Sequence, residues 1–237
     1  MSSPHRGIEF TGEFLVPGAT ENRIVRDHEA RYSWAGRFVA GKSALDIACG
    51  AGYGTRSLVE SGASSAVGVD INAEALRFAS ANYANERVAF VDADICMYDG
   101  EGRRFDLITC FETTEHVDDH MGAVANLHRL LAPGGCLLIS SPNRPVTSPG
   151  ATSLADRPAN PHHVREFVPE ELRAVLVSAG FEVEDTLFGQ RIERILPGRL
   201  MTAMYGRIVR PQATKDPTVQ PVLGGRPRYF ALVAHAR

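Results

Sequence analysis

The chain has 237 residues, of which 44% are apolar, and this is enough to form the core of one α/β domain. Its formal net charge of −3 provides no overall positive field to attract nucleic acid or an anionic membrane surface. The apolar runs are too short to span a bilayer, and the N-terminus has no apolar signal segment. The four cysteines form no C-x-x-C pair. We therefore expect a cytoplasmic protein with buried free thiols and with neither a membrane nor a nucleic-acid partner.

The first 42 residues are predicted to form an N-terminal arm followed by a cap helix. Glycine and proline interrupt residues 7–21, which is typical of an irregular segment. From residue 22 to residue 39, apolar side chains recur at about helical spacing. This pattern predicts an amphipathic helix that ends before Gly41.

Residues 43–55, SALDIACGAGYGT, form the most informative segment of the chain. A short apolar run that contains Asp46 precedes three glycines at alternate positions, and a helix-compatible stretch follows. The pattern predicts a strand, a glycine turn and a helix whose first N–H groups face a bound ligand. A second apolar run ends at Asp70, where a carboxylate is placed to accept hydrogen bonds from a ribose.

Strand and helix patterns alternate through the rest of the chain, which indicates a parallel sheet covered on both faces. The later helices are predicted at 73–83, with Asn72 as N-cap, at 119–131 and at 169–179. The strands are predicted at 44–48, 66–70, 88–91, 105–110, 136–140, 181–187 and 229–234. Two long segments interrupt this order, at 141–161 and 190–226, and the first has the length of a lid or binding loop.

The glycine turn is G-x-G-x-G preceded by Asp46, and not the G-x-G-x-x-G of dinucleotide-binding oxidoreductases. Together with F-E-x-x-E-H-V at 111–117 and L-x-P-G-G at 131–135, it resembles the class I S-adenosylmethionine-dependent methyltransferases over most of the chain. The resemblance implies a doubly wound, mostly parallel, seven-stranded Rossmann-like sheet with an antiparallel last strand. It also implies one methyltransferase domain over 43–237, with a lid loop at 141–168 and an insertion at 190–226.

The same resemblance implies S-adenosylmethionine as the cofactor. Asp94 is expected to bind the adenine amino group with Ile95 against the ring, and Asp92 is the alternative register. Arg31 and Tyr32, in H-x-x-R-Y, are expected near the methionine carboxylate, unless Tyr32 is a core residue. The expected cofactor-binding residues are Tyr32, Asp46, Ala48, Gly50, Gly52, Asp70, Ile71, Asp94, Ile95, Phe111 and Glu112.

Methyl transfer from a sulfonium is a direct displacement, so the leaving thioether needs no acid and positioning dominates. A base helps only on the acceptor side. His116 follows the fourth strand, near the expected methyl position, and is the candidate catalytic residue. The expected substrate-binding residues are His116, His162, His163 and Arg165. No metal is expected, because the acids beside His116 and His120 also suit a helix start.

The acceptor is expected to be a small molecule, and the favoured choice is a ring nitrogen of a heteroaromatic secondary metabolite. A sugar or another natural product, methylated on oxygen or nitrogen, is the alternative. A catalytically silent cofactor-binding module is the alternative from another class. The chain is expected to be a monomer or a homodimer.

Overall fold

The computed structural model describes residues 22–193 and 216–236. The arm at 7–21 and most of the insertion at 190–226 lie outside the described residues. The helices are α1 (Asn22–Ala35), α2 (Tyr53–Glu60), α3 (Ala73–Tyr83), α4 (His120–Leu130), α5 (Arg144–Thr147) and α6 (Pro169–Ser178). The strands are β1 (Ser43–Ile47), β2 (Ser65–Asp70), β3 (Val88–Asp92), β4 (Phe105–Phe111), β5 (Leu131–Pro142), β6 (Phe181–Val183), β7 (Phe188–Gln190), β8 (Gln220–Pro221) and β9 (Tyr229–Ala236).

The strands form one sheet in the order β3-β2-β1-β4-β5-β9-β7-β8, and β6 also pairs with β9. Strands β1 to β5 run parallel, whereas β9 is antiparallel to β5. This confirms the doubly wound, mostly parallel sheet with an antiparallel last strand. The sixth strand, expected at 181–187, is shorter and ends at Val183, and β7 begins at Phe188, beyond the predicted range. The polar residues 184–186 between these two strands are exposed. With the short β8, the described residues contain nine strands where seven were expected.

The core consists of two apolar clusters, one on each face of the sheet. One cluster includes Leu127 from α4 and Leu172 from α6, and the other includes Trp34 from α1 and Leu58 from α2. Burial on both faces explains why the central strands read as continuous apolar runs. All four cysteines are free and three are buried as expected, whereas Cys96 is partly exposed. In the part of the chain that the structure describes, no helix combines the length and apolar character needed to cross a membrane.

Helix α1 ends at Ala35, earlier than the predicted Val39. Gly36 donates its N–H to the carbonyl of Tyr32 at 2.8 Å, and the chain then turns. The predicted N-cap at Asn72 is confirmed, since its side chain accepts the N–H groups of Glu74 and Ala75. The fifth strand is longer than predicted at both ends.

The loop after β5, which was expected to be a lid or binding loop, is anchored where it begins. Asn143 and Arg144 are buried. The Arg144 guanidinium binds both carboxylate oxygens of Glu171 at 2.7 and 2.8 Å. Thr147 donates to Glu166, which is also buried. The exposed part is therefore confined mostly to residues 149–162.

The contact between α1 and α2 leads to a stability prediction. A Cβ at Gly54 would lie 2.0 Å from the buried ring of Tyr32, whereas a Cβ at Gly150 would have no atom of the described residues within 4 Å. We expect Gly54→Ala to lower the free energy of unfolding by about 1–3 kcal/mol, because the core is overpacked. Gly150→Ala is the matched control and should change it by less than about 0.5 kcal/mol. Urea unfolding measures both, and equal stabilities of the two variants would contradict the prediction.

Candidate active site

A cavity of about 930 Å³ opens beyond the carboxyl ends of β1, β2 and β4. This is where ligands bind in open α/β sheets. Most of the predicted cofactor residues line it, namely Tyr32, Ala48, Gly50, Asp70, Ile71, Asp94, Ile95, Phe111 and Glu112. The predicted substrate residues His116 and His162 also line it. Four other predicted residues do not line it, namely Asp46, Gly52, His163 and Arg165.

The turn after β1 fixes the carboxylate of Asp70. Ala48 and Gly50 have positive φ angles of 56° and 52°, which bend the chain sharply. The N–H of Gly50 donates to Asp70 Oδ2 at 2.7 Å, and the N–H of Asn72 donates to Oδ1 at 2.8 Å. Each carboxylate oxygen retains a further lone pair for a ligand. The strand-end acid is therefore oriented before any ligand arrives.

Gly52 has a different position from the one expected. Its N–H donates to the carbonyl of Cys49 at 3.0 Å, within the turn itself. A Cβ on Gly52 would lie 2.5 Å from the Cβ of Ala79 and 2.7 Å from the ring of Phe90. This glycine allows α3 and β3 to pack against the turn, so its substitution would perturb packing first.

Asp46 lies beneath the turn and is 1% exposed. Its carboxylate accepts hydrogen bonds from Thr109 Oγ1 and Thr55 Oγ1, both at 2.7 Å, and from the Tyr32 hydroxyl at 3.0 Å. Burial raises the pKa of Asp46 to about 6, while these three hydroxyl groups oppose the rise. Asp46 orients Tyr32, which lines the cavity, and does not line it itself.

Two acids at the end of β3, Asp92 and Asp94, are the candidates for binding the adenine amino group, and they differ in position. Asp94 lines the cavity, whereas Asp92 does not. Asp94 Oδ1 accepts the N–H of Cys96 at 2.7 Å, which fixes its carboxylate. Ile95 is buried in the cavity wall, and Ile71 lies in the wall with 69% of its surface exposed. The geometry favours Asp94 over the alternative register.

The tip of β4 places two acids in the protein interior. Ser140 Oγ donates to Glu112 Oε1 at 2.6 Å, and the Arg31 guanidinium lies 3.9 Å from the same oxygen. Burial raises the pKa of Glu112, and Arg31 opposes this rise. Glu115 is fully buried, and burial together with the Glu112 charge raises its pKa well above the usual value. The Arg31 guanidinium also donates to Gln190 at 2.8 Å and does not line the cavity.

The histidines of the lid lie against this tip. His116 Nδ1 lies 3.0 Å from the carbonyl oxygen of His162, and the rings of His116 and His163 are 4.8 Å apart. His163 Nδ1 lies 2.7 Å from Glu166 Oε1, behind the cavity wall. Arg165 donates to the carbonyl oxygens of Val117 and of the next residue. It therefore holds the tip of β4 in place and does not face the cavity.

Two residues that were not among the predicted ligands also line the cavity, His28 and Tyr53. His28 precedes Tyr32 by one helical turn. The motif H-x-x-R-Y therefore already indicated that both side chains lie on one face of α1. Burial, and then the charge of Arg31, lowers the pKa of His28 well below its usual value. The Tyr53 hydroxyl is buried and has no hydrogen-bond partner among the described residues. Both side chains offer polar atoms to a ligand at the α1 side of the cavity.

Comparisons with known proteins identify related methyltransferases. A family model described as a methyltransferase domain matches residues 22–186. A probable S-adenosylmethionine-dependent methyltransferase of Mycolicibacterium smegmatis is 36% identical over 76% of this chain and 68% of its own length. A ubiquinone biosynthesis O-methyltransferase of Pseudomonas aeruginosa is 33% identical over 63% of this chain and 68% of its length. The fold is similar to N-methyltransferase NodS from Bradyrhizobium japonicum in complex with S-adenosyl-L-homocysteine. That match has a TM-score of 0.61 and 16% identity, and it covers 91% of this chain and 88% of that chain.

The Asp70 carboxylate provides a test of the cofactor site. Asp70→Asn should weaken the binding of S-adenosylhomocysteine more than about tenfold, because a charge-assisted hydrogen bond to the ribose is lost. Asp92→Asn is the matched control, since Asp92 pairs with Asp70 in register but does not line the cavity. Titration calorimetry measures both affinities. Unchanged binding by Asp70→Asn would remove this residue from the ribose site.

The buried Asp46 leads to a prediction about pH. Its folded-state pKa of about 6 exceeds the model-compound value of 3.8. The stability that protonated Asp46 contributes is therefore complete below about pH 4 and is lost as the pH rises through about 6. Between these two pH values, the free energy of unfolding of the wild type should fall on the order of 2–3 kcal/mol relative to that of Asp46→Asn. Urea unfolding of both proteins from pH 4 to pH 7 gives this difference, and a difference independent of pH would refute the shift.

Proposed function

The chain belongs to the class I S-adenosylmethionine-dependent methyltransferase family, and on this basis we propose that it methylates a small-molecule acceptor at the β4 end of the cavity. The observation that carries the proposal is the position of His116 and His162 in the same cavity wall as the cofactor-side residues Asp70 and Asp94. One cavity of about 930 Å³ thus has room for a donor and an acceptor side by side.

On the donor side, we propose that Asp70 binds the ribose and that Asp94 binds the adenine amino group, with Ile71 and Ile95 against the ring. The carboxylate at the methionine end would meet polar atoms of His28, Tyr53 and the glycine turn, in place of the expected Arg31. The guanidinium of Arg31 already binds Gln190 and lies near Glu112, which supports this change.

On the acceptor side, we propose a ring nitrogen of a heteroaromatic secondary metabolite, such as a toxoflavin-type azapteridine. Such an N–H is already acidic, so positioning beside the methyl group matters more than a strong base. The acceptor end offers hydrogen-bond acceptors and donors from Glu112, Thr113, His116 and His162, which suits a flat polar ring.

An oxygen acceptor is the second candidate. It is supported by the similarity to the Pseudomonas aeruginosa O-methyltransferase. A hydroxyl of high pKa requires more help with its proton than an acidic N–H does. We also propose the division of the chain into an N-terminal arm and cap helix at 1–42 and a catalytic domain at 43–237. In this division, helix α1 contributes His28 and Tyr32 to the cavity of the catalytic domain.

Methyl transfer from deuterium-labelled S-adenosylmethionine tests the acceptor class directly. The expected result is a labelled product with an azapteridine N–H acceptor, located on nitrogen by mass spectrometry and NMR. A phenol or catechol and a sugar serve as competing acceptors in parallel reactions. A label found only on oxygen would establish the second candidate. Tight cofactor binding without transfer to any of them would favour a silent binding module.

The role proposed for His116 depends on the same acceptor. With an acidic N–H acceptor, His116→Ala should lower turnover by less than about tenfold, because positioning alone is lost. A loss of about 10² or more that is partly rescued at high pH would indicate general-base catalysis on a hydroxyl. His235→Ala, at an exposed pair with Glu184, is the control. Full turnover with unchanged acceptor affinity would place His116 outside the acceptor site.

A further inference from the structure

Three side chains at the tip of β4 and at the end of the lid loop converge on one point. One ligand atom from each of Glu115, His116 and His163 lies within 4.8 Å of the other two. Among the described residues, this is the one such group of three histidine, cysteine or acidic side chains. It shares only His116 with the set considered from the sequence, because Glu115 and His163 take the place of His120 and of the acids that follow His116. The backbone makes the meeting possible, since Val164 donates its N–H to the carbonyl of Glu115 at 2.8 Å.

Glu115 has an acidic side chain that is buried with few hydrogen-bond partners among the described residues. Its side chain is 0% exposed, and Oε1 has no hydrogen-bond partner among the residues that the structure describes. Oε2 has one weak contact, to Ser141 Oγ at 3.5 Å. In the described ranges, 22–193 and 216–236, Glu115 forms no ion pair, and the Glu112 carboxylate is a further negative charge nearby. A buried carboxylate with so few partners is costly unless a cation or a proton compensates it.

Both histidines are oriented in the manner of metal ligands. Each one places Nδ1 against an oxygen, the carbonyl of His162 at 3.0 Å for His116 and the carboxylate of Glu166 at 2.7 Å for His163. When Nδ1 carries the proton, Nε2 carries the lone pair, and an outer carboxylate or carbonyl is the usual partner of a ligating imidazole. Asn160 Nδ2 lies 2.8 Å from His163 Nε2, so a cation bound at this nitrogen would displace the Asn160 amide.

We propose that Glu115, His116 and His163 bind a divalent first-row transition-metal cation such as Mn²⁺ or Zn²⁺. Two imidazole nitrogens and one carboxylate are a donor set that these cations accept, with positions left open for water or substrate. His116 also lines the cavity, so the open positions face the acceptor end. There the cation would hold an oxygen or nitrogen atom of the acceptor. This last step rests on the proposed function, whereas the cation site itself does not.

Mn²⁺ binding to the cofactor-free full chain tests the site without any acceptor. Bound Mn²⁺ loses the sharp electron paramagnetic resonance signal of the free ion, so a titration gives stoichiometry and affinity. We expect about one equivalent to bind, Zn²⁺ to displace it, and Glu115→Gln and His163→Ala each to weaken binding about tenfold or more. Glu115 and His163 are chosen because neither lines the cavity, so acceptor contacts are not altered directly.

The matched controls are an exposed acid and a histidine that forms an exposed pair with a glutamate. Glu170→Gln on α6 and His235→Ala on β9 should bind Mn²⁺ like the wild type. Thermal unfolding checks folding at the same time. Without cation, Glu115→Gln should unfold at the wild-type temperature or above it, because it replaces a buried carboxyl group that has few partners among the described residues. Added Mn²⁺ should stabilise the wild type and not this variant.

The outcomes separate a cation site from a proton held by Glu115. If the wild type binds neither Mn²⁺ nor Zn²⁺, or if Glu115→Gln and His163→Ala bind them as tightly as the controls do, the site is refuted. Failure of the proposed function gives a different result, in which the cation binds as expected but no acceptor is methylated.

Discussion

One buried carboxylate holds together the elements that form the cofactor site. Asp46 on β1 accepts hydroxyl groups from Tyr32 on α1, Thr55 on α2 and Thr109 on β4, so four elements meet at a single side chain. The absence of a side chain at Gly54 allows the Tyr32 ring to reach this point. The carboxylate does not line the cavity, but it orients Tyr32, which does. Its burial is costly, and the three hydroxyl donors offset part of that cost.

A second polar network connects the cap helix to the far side of the sheet. Arg191 binds the Asp27 carboxylate through Nε at 2.8 Å, and the neighbouring Gln190 accepts from Arg31 and donates to the carbonyl of Asp27. Arg31 also lies near Glu112 at the tip of β4. Because these groups are buried, a shift of α1 would break several hydrogen bonds together. The network therefore links the position of the cap helix to the tip of β4.

The two ends of the cavity differ in chemistry. At the donor end, backbone N–H groups and carboxylates fixed by the turns, such as Asp70 and Asp94, suit a ribose and an adenine. At the acceptor end, Glu112, His116 and a buried Glu115 bring acids and imidazoles together, where a cation has favourable ligands. Under the proposed function, the first arrangement binds the methyl donor and the second one selects the acceptor. This division explains why the cofactor class is evident from the family while the acceptor depends on the local side chains.

The sequence by itself predicted the alternating fold, the glycine turn, the Asn72 cap and the strand-end acid Asp70. Each of these depends on residues close together along the chain, so local spacing is sufficient to identify them. Only the tertiary structure decided that Gly52 packs against α3, that Arg31 binds Gln190, and that His163 meets Glu115. The residues in such contacts lie far apart in the sequence. Arg31 and Gln190, for example, are separated by 159 positions. Periodicity carries no information about such pairs, because the relative placement of strands and loops selects which side chains meet.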